Sequence, residues 1–390
     1  MRKITLIILL LIYLTFNACV GNKKVTMQTT YSMLMIDTAH KFPLWTIIED
    51  DNRIRSLIVL SEKDSSIYVL VEKDSVFEPI RSFVLDDNTK KYLFAEEMDK
   101  AGKSSYFNMM DSNTLLITAN AQVFSVYDIQ TGKMLHQQIM QNDDSVFISE
   151  LPCNVKAGLF YDNNCGQLIF HPLITRDILL PDYPMLAGKN IYTGENQLYA
   201  MRMPKVKEFT GRYSNLEYDM LYCYAEGNYV AAWSNSQVIF SFNPSTQKID
   251  SFYVKSKHYT PYPKQYDNLP PLDSRNSLEL MQFKIHSMYY DYYNTALVYD
   301  KYRKVFYRYF SPAQKEKSKD GLKNDITTKL AGVTIFDKNF NYIGDYLSEN
   351  QFFLYTANSV VTSKGICRLV KKFENEQFVG YEVVTIKFNY

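Results

Sequence analysis

Chemistry at a protein site starts from a few residue types at fixed spacings, and this chain offers few of them. Its five histidines are His40, His136, His171, His258 and His286, and no two stand four residues apart. A zinc hydrolase site of the His-Glu-x-x-His kind therefore has no foothold, because that motif needs two imidazoles on one helical face. Neither the Gly-x-Ser-x-Gly nucleophile turn nor the phosphate-cradling G-x-x-x-x-G-K-[ST] loop occurs. No catalytic residue, metal ligand or cofactor is signalled. The acidic doublets Asp50-Asp51, Asp86-Asp87, Glu96-Glu97 and Asp143-Asp144 lack EF-hand spacing and read as solvated turns. Glycoside cleavage draws its two carboxylates from separate segments and leaves no local motif. A glycan hydrolase or lyase with carboxylates gathered from several elements is therefore the alternative to a binding module.

Residues suited to binding stand out more clearly. The segment 255–277 holds Pro261, Pro263, Pro270 and Pro271, together with Tyr259, Tyr262, Tyr266 and Arg275. Proline withholds a ladder donor and presets turns, so this is a long loop. Tyrosine and arginine are common binding anchors, and proline lowers the cost of ordering them. In 305–310 a period of two sets Phe306, Arg308 and Phe310 on one face. An arginine between two phenylalanines must reach solvent or find an acceptor. Two roles are open to Arg308: a structural ion pair with Asp300, or a place lining a ligand funnel. The remaining thiols, Cys153, Cys165, Cys223 and Cys367, form no C-x-x-C, and Cys153 and Cys165 are near enough in sequence to pair.

The elements that carry these residues are strands. The chain has 390 residues, with 32 Tyr and 24 Phe against 14 Gly, a composition suited to pleated, half-buried surfaces. With 43 basic and 42 acidic residues the net charge is +1, so nothing points to nucleic acid. The stretch 113–134 (NTLLITANAQVFSVYDIQTGKM) returns at 228–249 (NYVAAWSNSQVIFSFNPSTQKI), strand, turn, strand and turn in each. A second echo pairs 159–162 and 167–174 with 297–300 and 304–310. Groups of about four short strands follow one another: 106–110, 114–118, 122–127 and 134–140; then 159–162, 167–174, 191–192 and 198–203; then 221–225, 229–233, 238–242 and 249–254. The next group is 283–290, 297–300, 305–310, 332–336 and 342–347, and the last is 352–355, 359–362, 366–371 and 380–388, with 31–36, 57–60, 67–71 and 80–85 ahead of them all. Short strands repeating in fours imply an all-β fold, a β-propeller whose blades stack to bury their faces. The grouping favours six blades of four antiparallel strands. Seven also fits the soft edges, and the ring closes if 31–36 joins the final strand.

The N-terminus reads as an address. Arg2 and Lys3 precede 13 uncharged residues, 4–16, too short to span a bilayer but right for a secretory signal. Ala18-Cys19 completes a resemblance to bacterial lipoprotein signals. The resemblance implies cleavage after residue 18, lipidation of Cys19 and a membrane partner reached through the acyl chains. Val20, in place of Asp, and the Gly-Asn-Lys-Lys that follows favour the outer membrane and its periplasmic side. The expected layout is a signal peptide over 1–18, a tether over 19–30 and one propeller domain over 31–390.

Together with this start, the Tyr-rich hairpins and YDKYRKVFYRYF at 299–310 resemble Bacteroidales lipoproteins of a family of unknown function with a TolB-like six-bladed propeller. The resemblance covers nearly the whole mature chain and implies no catalytic residues. It accords with an envelope module that binds a protein, peptide or glycan.

Overall fold

The computed structural model describes residues 25–33, 54–59, 66–73, 76–84, 104–110, 114–119, 123–128, 133–139, 160–162, 166–170, 186–199, 201, 220–233, 236–261, 286, 289–324, 328–348, 359–374 and 377–390. These residues form antiparallel sheets with almost no helix. The first strand, β1 (Thr26–Met33), is followed by a three-stranded sheet of β2 (Ile54–Val59), β3 (Ser66–Lys73) and β4 (Val76–Val84). Four strands each make up the next sheets: β5 (Ser104–Met109), β6 (Thr114–Ala119), β7 (Val123–Asp128) and β8 (Met134–Ile139); then β9 (Phe160–Asp162), β10 (Gln167–Phe170), β11 (Ala187–Asn190) and β12 (Asn196–Leu198). The fourth sheet holds β13 (Met220–Ala225), β14 (Asn228–Trp233), β15 (Val238–Asn243) and β16 (Lys248–Tyr253), and the fifth β17 (Tyr293–Asp300), β18 (Val305–Ser311), β19 (Ala331–Asp337) and β20 (Tyr342–Ser348). The last sheet comprises β21 (Ser359–Thr362), β22 (Gly365–Glu374) and β23 (Gln377–Asn389).

Neighbours in chain order are neighbours in space throughout, with one exception. β1 leaves the start of the chain to pair with β23, from Thr26 opposite Asn389 to Met33 opposite Glu382. Both echoes in the sequence fall at equivalent places. The 113–134 and 228–249 copies supply the second, third and fourth strands of their sheets, and the 159–174 and 297–310 copies the first and second.

Several of the hairpins share a local code. An Asp or Asn ends a strand, and its side-chain oxygen accepts N–H groups from the turn that follows. Asn190 Oδ1 takes the amides of Tyr192 and Thr193, Asn243 Oδ1 those of Ser245 and Thr246, and Asp300 Oδ1 those of Tyr302 and Arg303. Four residues after each the backbone turns left-handed, at Gly194 (φ 77°), Gln247 (φ 56°) and Lys304 (φ 54°). Asx residues stabilise such turns with their own oxygens. A buried aromatic precedes the Asx in several copies, as in Tyr127-Asp128, Tyr161-Asp162, Phe242-Asn243 and Phe336-Asp337.

Packing is face to face between successive sheets. One face of the fifth sheet sets Leu297, Phe306 and Phe336 against Leu221, Val230, Ala232 and Ile239 of the fourth. Its other face sets Val298, Tyr307, Val333 and Ile335 against Ile366, Val384, Ile386 and Phe388 of the last. Every residue of β18 is buried as a result. First strands lie beside first strands at five seams: β2 with β5, β5 with β9, β13 with β17, β17 with β21, and β21 with β2.

Three expected boundaries need correction. Residues 26–30 belong to a strand and not to a tether, because β23 offers its free edge to them; Val25 is already 6% exposed in the core. Residues 191–193 form a turn, held by Asn190, and not a strand. Of the expected strand 283–290, the described residues His286, Tyr289 and Tyr290 are helical. The expected strand 352–355 lies outside the described residues.

Because β1 finishes the last sheet, a chain beginning at residue 34 is expected to melt at least about 5 °C below one beginning at residue 25. Equal melting temperatures by circular dichroism would show that the β1–β23 pairing contributes nothing.

Candidate functional site

The two ends of the sheets differ in character. At one end the connections are tight turns that touch. Tyr299 donates from its hydroxyl to Glu226 Oε1 at 2.8 Å, and Arg303 donates to the carbonyls of Thr362 (3.3 Å) and Ser363 (2.8 Å). At the other end two connections are long and unlike one another, spanning 254–292 and 312–330. These two converge. The Gln314 amide donates to the Tyr290 carbonyl at 2.9 Å, and Gln314 Nε2 to that of Tyr289 at 2.8 Å. Tyr290 donates from its hydroxyl to the Asn324 carbonyl at 3.1 Å, and His286 Nε2 stands 3.2 Å from Glu316 Oε1. Asn294, at the start of β17, fastens this end to the fourth sheet by donating to the carbonyls of Trp233 and Ser236, both at 2.8 Å.

Arg308 lies beneath this end, 0% exposed. Its Nη2 donates to Gln237 Oε1 at 2.8 Å and to the Val254 carbonyl at 2.6 Å, and its Nη1 to the Gln237 carbonyl at 3.4 Å. Burial lowers its pKa from the ordinary value. The expected ion pair with Asp300 does not form, and strand parity is the reason. Leu297 is opposite Arg308 and Val298 opposite Tyr307, so Asp300 shares a face with Val298 and Tyr307, away from Arg308. Its Oδ2 is taken by Arg303 Nη1 at 2.8 Å and by the Tyr307 hydroxyl at 3.1 Å. With Nη1 and Nη2 bonded inside the protein and its buried Nε without a hydrogen-bond partner, Arg308 is a brace between two sheets. In the same row across the sheet stand Thr334, opposite Arg308, and Asp345, opposite Thr334. Asp345 Oδ2 accepts the Ser256 hydroxyl at 3.1 Å and the Lys257 amide at 2.6 Å. Arg308 and Asp345 thus grip the start of the 254–292 segment at neighbouring points.

Above the brace lies an aromatic stack. Tyr292 stacks on Phe310 with centroids 5.3 Å apart, His258 stacks on the same ring at 6.0 Å, and half-buried Tyr259 meets Tyr292 edge-on at 5.2 Å. Phe310 lies flat over Gly332, where a Cβ would stand 2.3 Å from its ring, so glycine is required there for the stack to settle. Of the sequence-derived binding candidates, Tyr259 and Arg308 are therefore brought to one end of one seam. Tyr262, Tyr266 and Arg275 lie outside the described residues, as do Cys19, Cys153 and Cys165. Cys223 and Cys367 are free thiols, and burial pushes the Cys223 pKa up.

One residue at this end escaped the sequence reading. Lys329 is 0% exposed; its Nζ donates to the Asp291 carbonyl and sits 4.4 Å from the centroid of the Tyr293 ring. Burial lowers its pKa to about 7, against an opposing pull from Asp291. Period-two counting back from the buried Ile335, Val333 and Ala331 would have placed residue 329 on the inward face.

Two outcomes test these assignments. Arg308→Met strips charged donors from the Val254 and Gln237 oxygens and is expected to destabilise by roughly 2–4 kcal/mol in urea unfolding. An unchanged midpoint would mean the brace carries no load. The lowered Lys329 pKa means the unfolded state holds its proton to higher pH than the folded state does. Stability is therefore present above the unfolded value and is lost as pH falls toward 7, with a slope of up to about 1.4 kcal/mol per pH unit between these limits. Lys329→Met is expected to flatten that part of the profile between pH 7 and 9, and a superimposable profile would refute the buried amine.

In comparisons with known proteins, the model of a domain of unknown function, DUF4221, matches residues 30–346. No curated protein matches the chain. Among solved structures, a member of the DUF4221 family from Bacteroides vulgatus superposes with a TM-score of 0.63 at 18% identity, over 95% of this chain and 99% of that one. A Bacteroides fragilis protein named "Putative exported protein (BF0058)" superposes with a TM-score of 0.51 at 11% identity, over 93% of this chain and 96% of that one. At such identities the likeness concerns the fold alone. The family match spans most of the strands described above, and by it this chain belongs to the DUF4221 family.

Proposed function

We propose that this protein is an exported, lipid-anchored module of the cell envelope that binds a protein, peptide or glycan at the loop end of its sheets. One observation carries the reading. What repeats along the chain is strand and turn, and what does not repeat, 254–292 and 312–330, is hydrogen-bonded together at one end over a buried brace. A regular scaffold with its irregular segments gathered on one face suits recognition.

The six sheets are, in this reading, blades of a propeller. The side-by-side first strands and the face-to-face cores support it, as does the joining of β1 to β23, which leaves the last sheet no three-stranded remnant. Export rests on the basic start, the apolar run and Ala18-Cys19, and accords with the printed name of the Bacteroides fragilis relative. Among the described residues no helix is long and apolar enough to cross a membrane. In this reading the anchor is lipid at Cys19, in the outer membrane on its periplasmic side. The tether reduces to the residues between Cys19 and buried Val25, at most about 20 Å of extended chain.

Palmitate labelling tests the anchor: Cys19→Ala is expected to abolish label, and retained label would overturn it. For recognition, the mature chain is screened on peptide and glycan arrays. Tyr259→Ala is expected to weaken the leading hit at least about fivefold with an unchanged melting temperature. Turnover of a glycan in place of retention would favour the hydrolase or lyase reading.

A further inference from the structure

The segment between β18 and β19 contains a small hairpin that projects from the loop end. Its arms meet in a backbone bridge between Lys317 and Lys323. The Ser318 amide donates to the Leu322 carbonyl at 2.8 Å, the Asn324 amide to the Glu316 carbonyl at 2.8 Å, and Asn324 Nδ2 to the Lys315 carbonyl at 2.9 Å. Gly321 turns the tip with a φ of +81°, in open space. The base is moored by the Tyr290–Asn324, Gln314–Tyr290 and His286–Glu316 bonds already described.

A shaped element of this kind has a cost. Ordering backbone costs about 1–2 kcal/mol per residue, and none of the side chains from 315 to 323 is buried in return. Just past the turn, on the arm opposite Ser318, stands Leu322, 71% exposed, more than any other large hydrophobic among the described residues. The same hairpin carries Lys315, Lys317, Lys319 and Lys323, all exposed, and among the described residues none forms an ion pair. Against them the hairpin sets Glu316, which faces His286, and Asp320. Nine residues thus carry four positive and two negative charges, a local +2 in a chain whose total is +1.

The residue types select the partner. Lysines are flexible, hydrated point charges suited to a diffuse anionic surface, and lack the fork by which arginine grips a single carboxylate. Protein interfaces are depleted in lysine and anchor on Trp, Tyr and Arg, none of which occurs in 315–323. An exposed leucine beside the turn of a lysine-rich hairpin fits a lipid surface: the leucine enters below the headgroups, the lysine stems follow it, and their ammonium groups stay at the phosphates. We propose that hairpin 315–323 is a membrane-docking element that inserts Leu322 into an anionic lipid surface.

This contact is separate from the acyl anchor and goes beyond the recognition role. β1 starts at the end of the sheets that carries the 301–304 and 363–364 turns, since Thr26 pairs with Asn389 next to the β21–β22 turn. The hairpin is at the other end. Anchor and hairpin on one bilayer would lay the strands of the last two sheets along it, and not stand them upon it.

The test uses the whole mature chain carrying Cys19→Ser, so that no acyl chain contributes. It is spun with vesicles of phosphatidylglycerol and phosphatidylcholine, and with vesicles of phosphatidylcholine alone. Sedimentation with the anionic vesicles only, weakened by salt, is expected. Each of Lys317→Glu, Lys319→Glu and Lys323→Glu should lower partitioning about fivefold or more, and Leu322→Ser should lower it with the melting temperature unchanged. Leu322→Trp should shift its emission to the blue on anionic vesicles. Equal sedimentation with both vesicle types, indifference to the lysine and leucine variants, an unshifted tryptophan, or binding to polygalacturonate or a polyglutamate peptide without vesicle binding would each overturn the proposal. None of these results depends on whether Cys19 is lipidated or on the array screen.

Discussion

A guanidinium removed from water must be surrounded by fixed acceptors, and the order of the loop end depends on how this chain surrounds Arg308. Its acceptors come from the neighbouring sheet and from the residue that leaves that sheet, Gln237 and Val254. Hydrogen bonds to a charged group are worth about 1.5–3 kcal/mol each, and an acceptor left without its donor costs a similar amount. The same side chain therefore fixes the distance between two sheets and the direction in which the chain departs at 254. Asp345, in the same cross-strand row, takes the next two residues. Everything further out, the Tyr292–Phe310 stack and the edge of Tyr259, rests on that geometry.

The scaffold could be read from the chain because its code is local. Asx residues at strand ends, left-handed positions four residues on and aromatics just before them all act within one hairpin, which is why 113–134 and 228–249 look alike. Arg308 could be assigned to a face, since period two needs only its neighbours. Its partner could not, because register across β17 and β18 decides that Asp300 falls on the opposite face. The polar run 26–30 reads as a linker until β23 is known to have an open edge. Aromatic residues in 283–290 suggest a strand, whereas the bonds from Gln314 and Asn324 that shape this region come from some 30 residues away. Lys329 was hidden because a lysine ahead of a strand usually reaches water.

Two fully buried cations, Arg308 and Lys329, answer the same problem differently. Arg308 keeps its charge among carbonyl oxygens. Lys329 sits against one carbonyl and the face of Tyr293, and burial there moves its titration into the neutral range. One is a permanent fixture of the seam. The other makes the root of the 312–330 segment sensitive to the proton concentration around it.

The union of β1 with β23 also bears on how the molecule is made. A strand formed from the first residues of the folded region must wait for the final 13-residue strand, Gln377–Asn389. A chain that crosses a membrane N-terminus first holds β1 on the far side long before its partner arrives. Until then the last sheet lacks two strands, and the apolar side chains of Val384, Ile386 and Phe388 have yet to reach the cluster that they share with Val25. Completion of the fold is thereby tied to release of the C-terminus, whose strand the first one awaits.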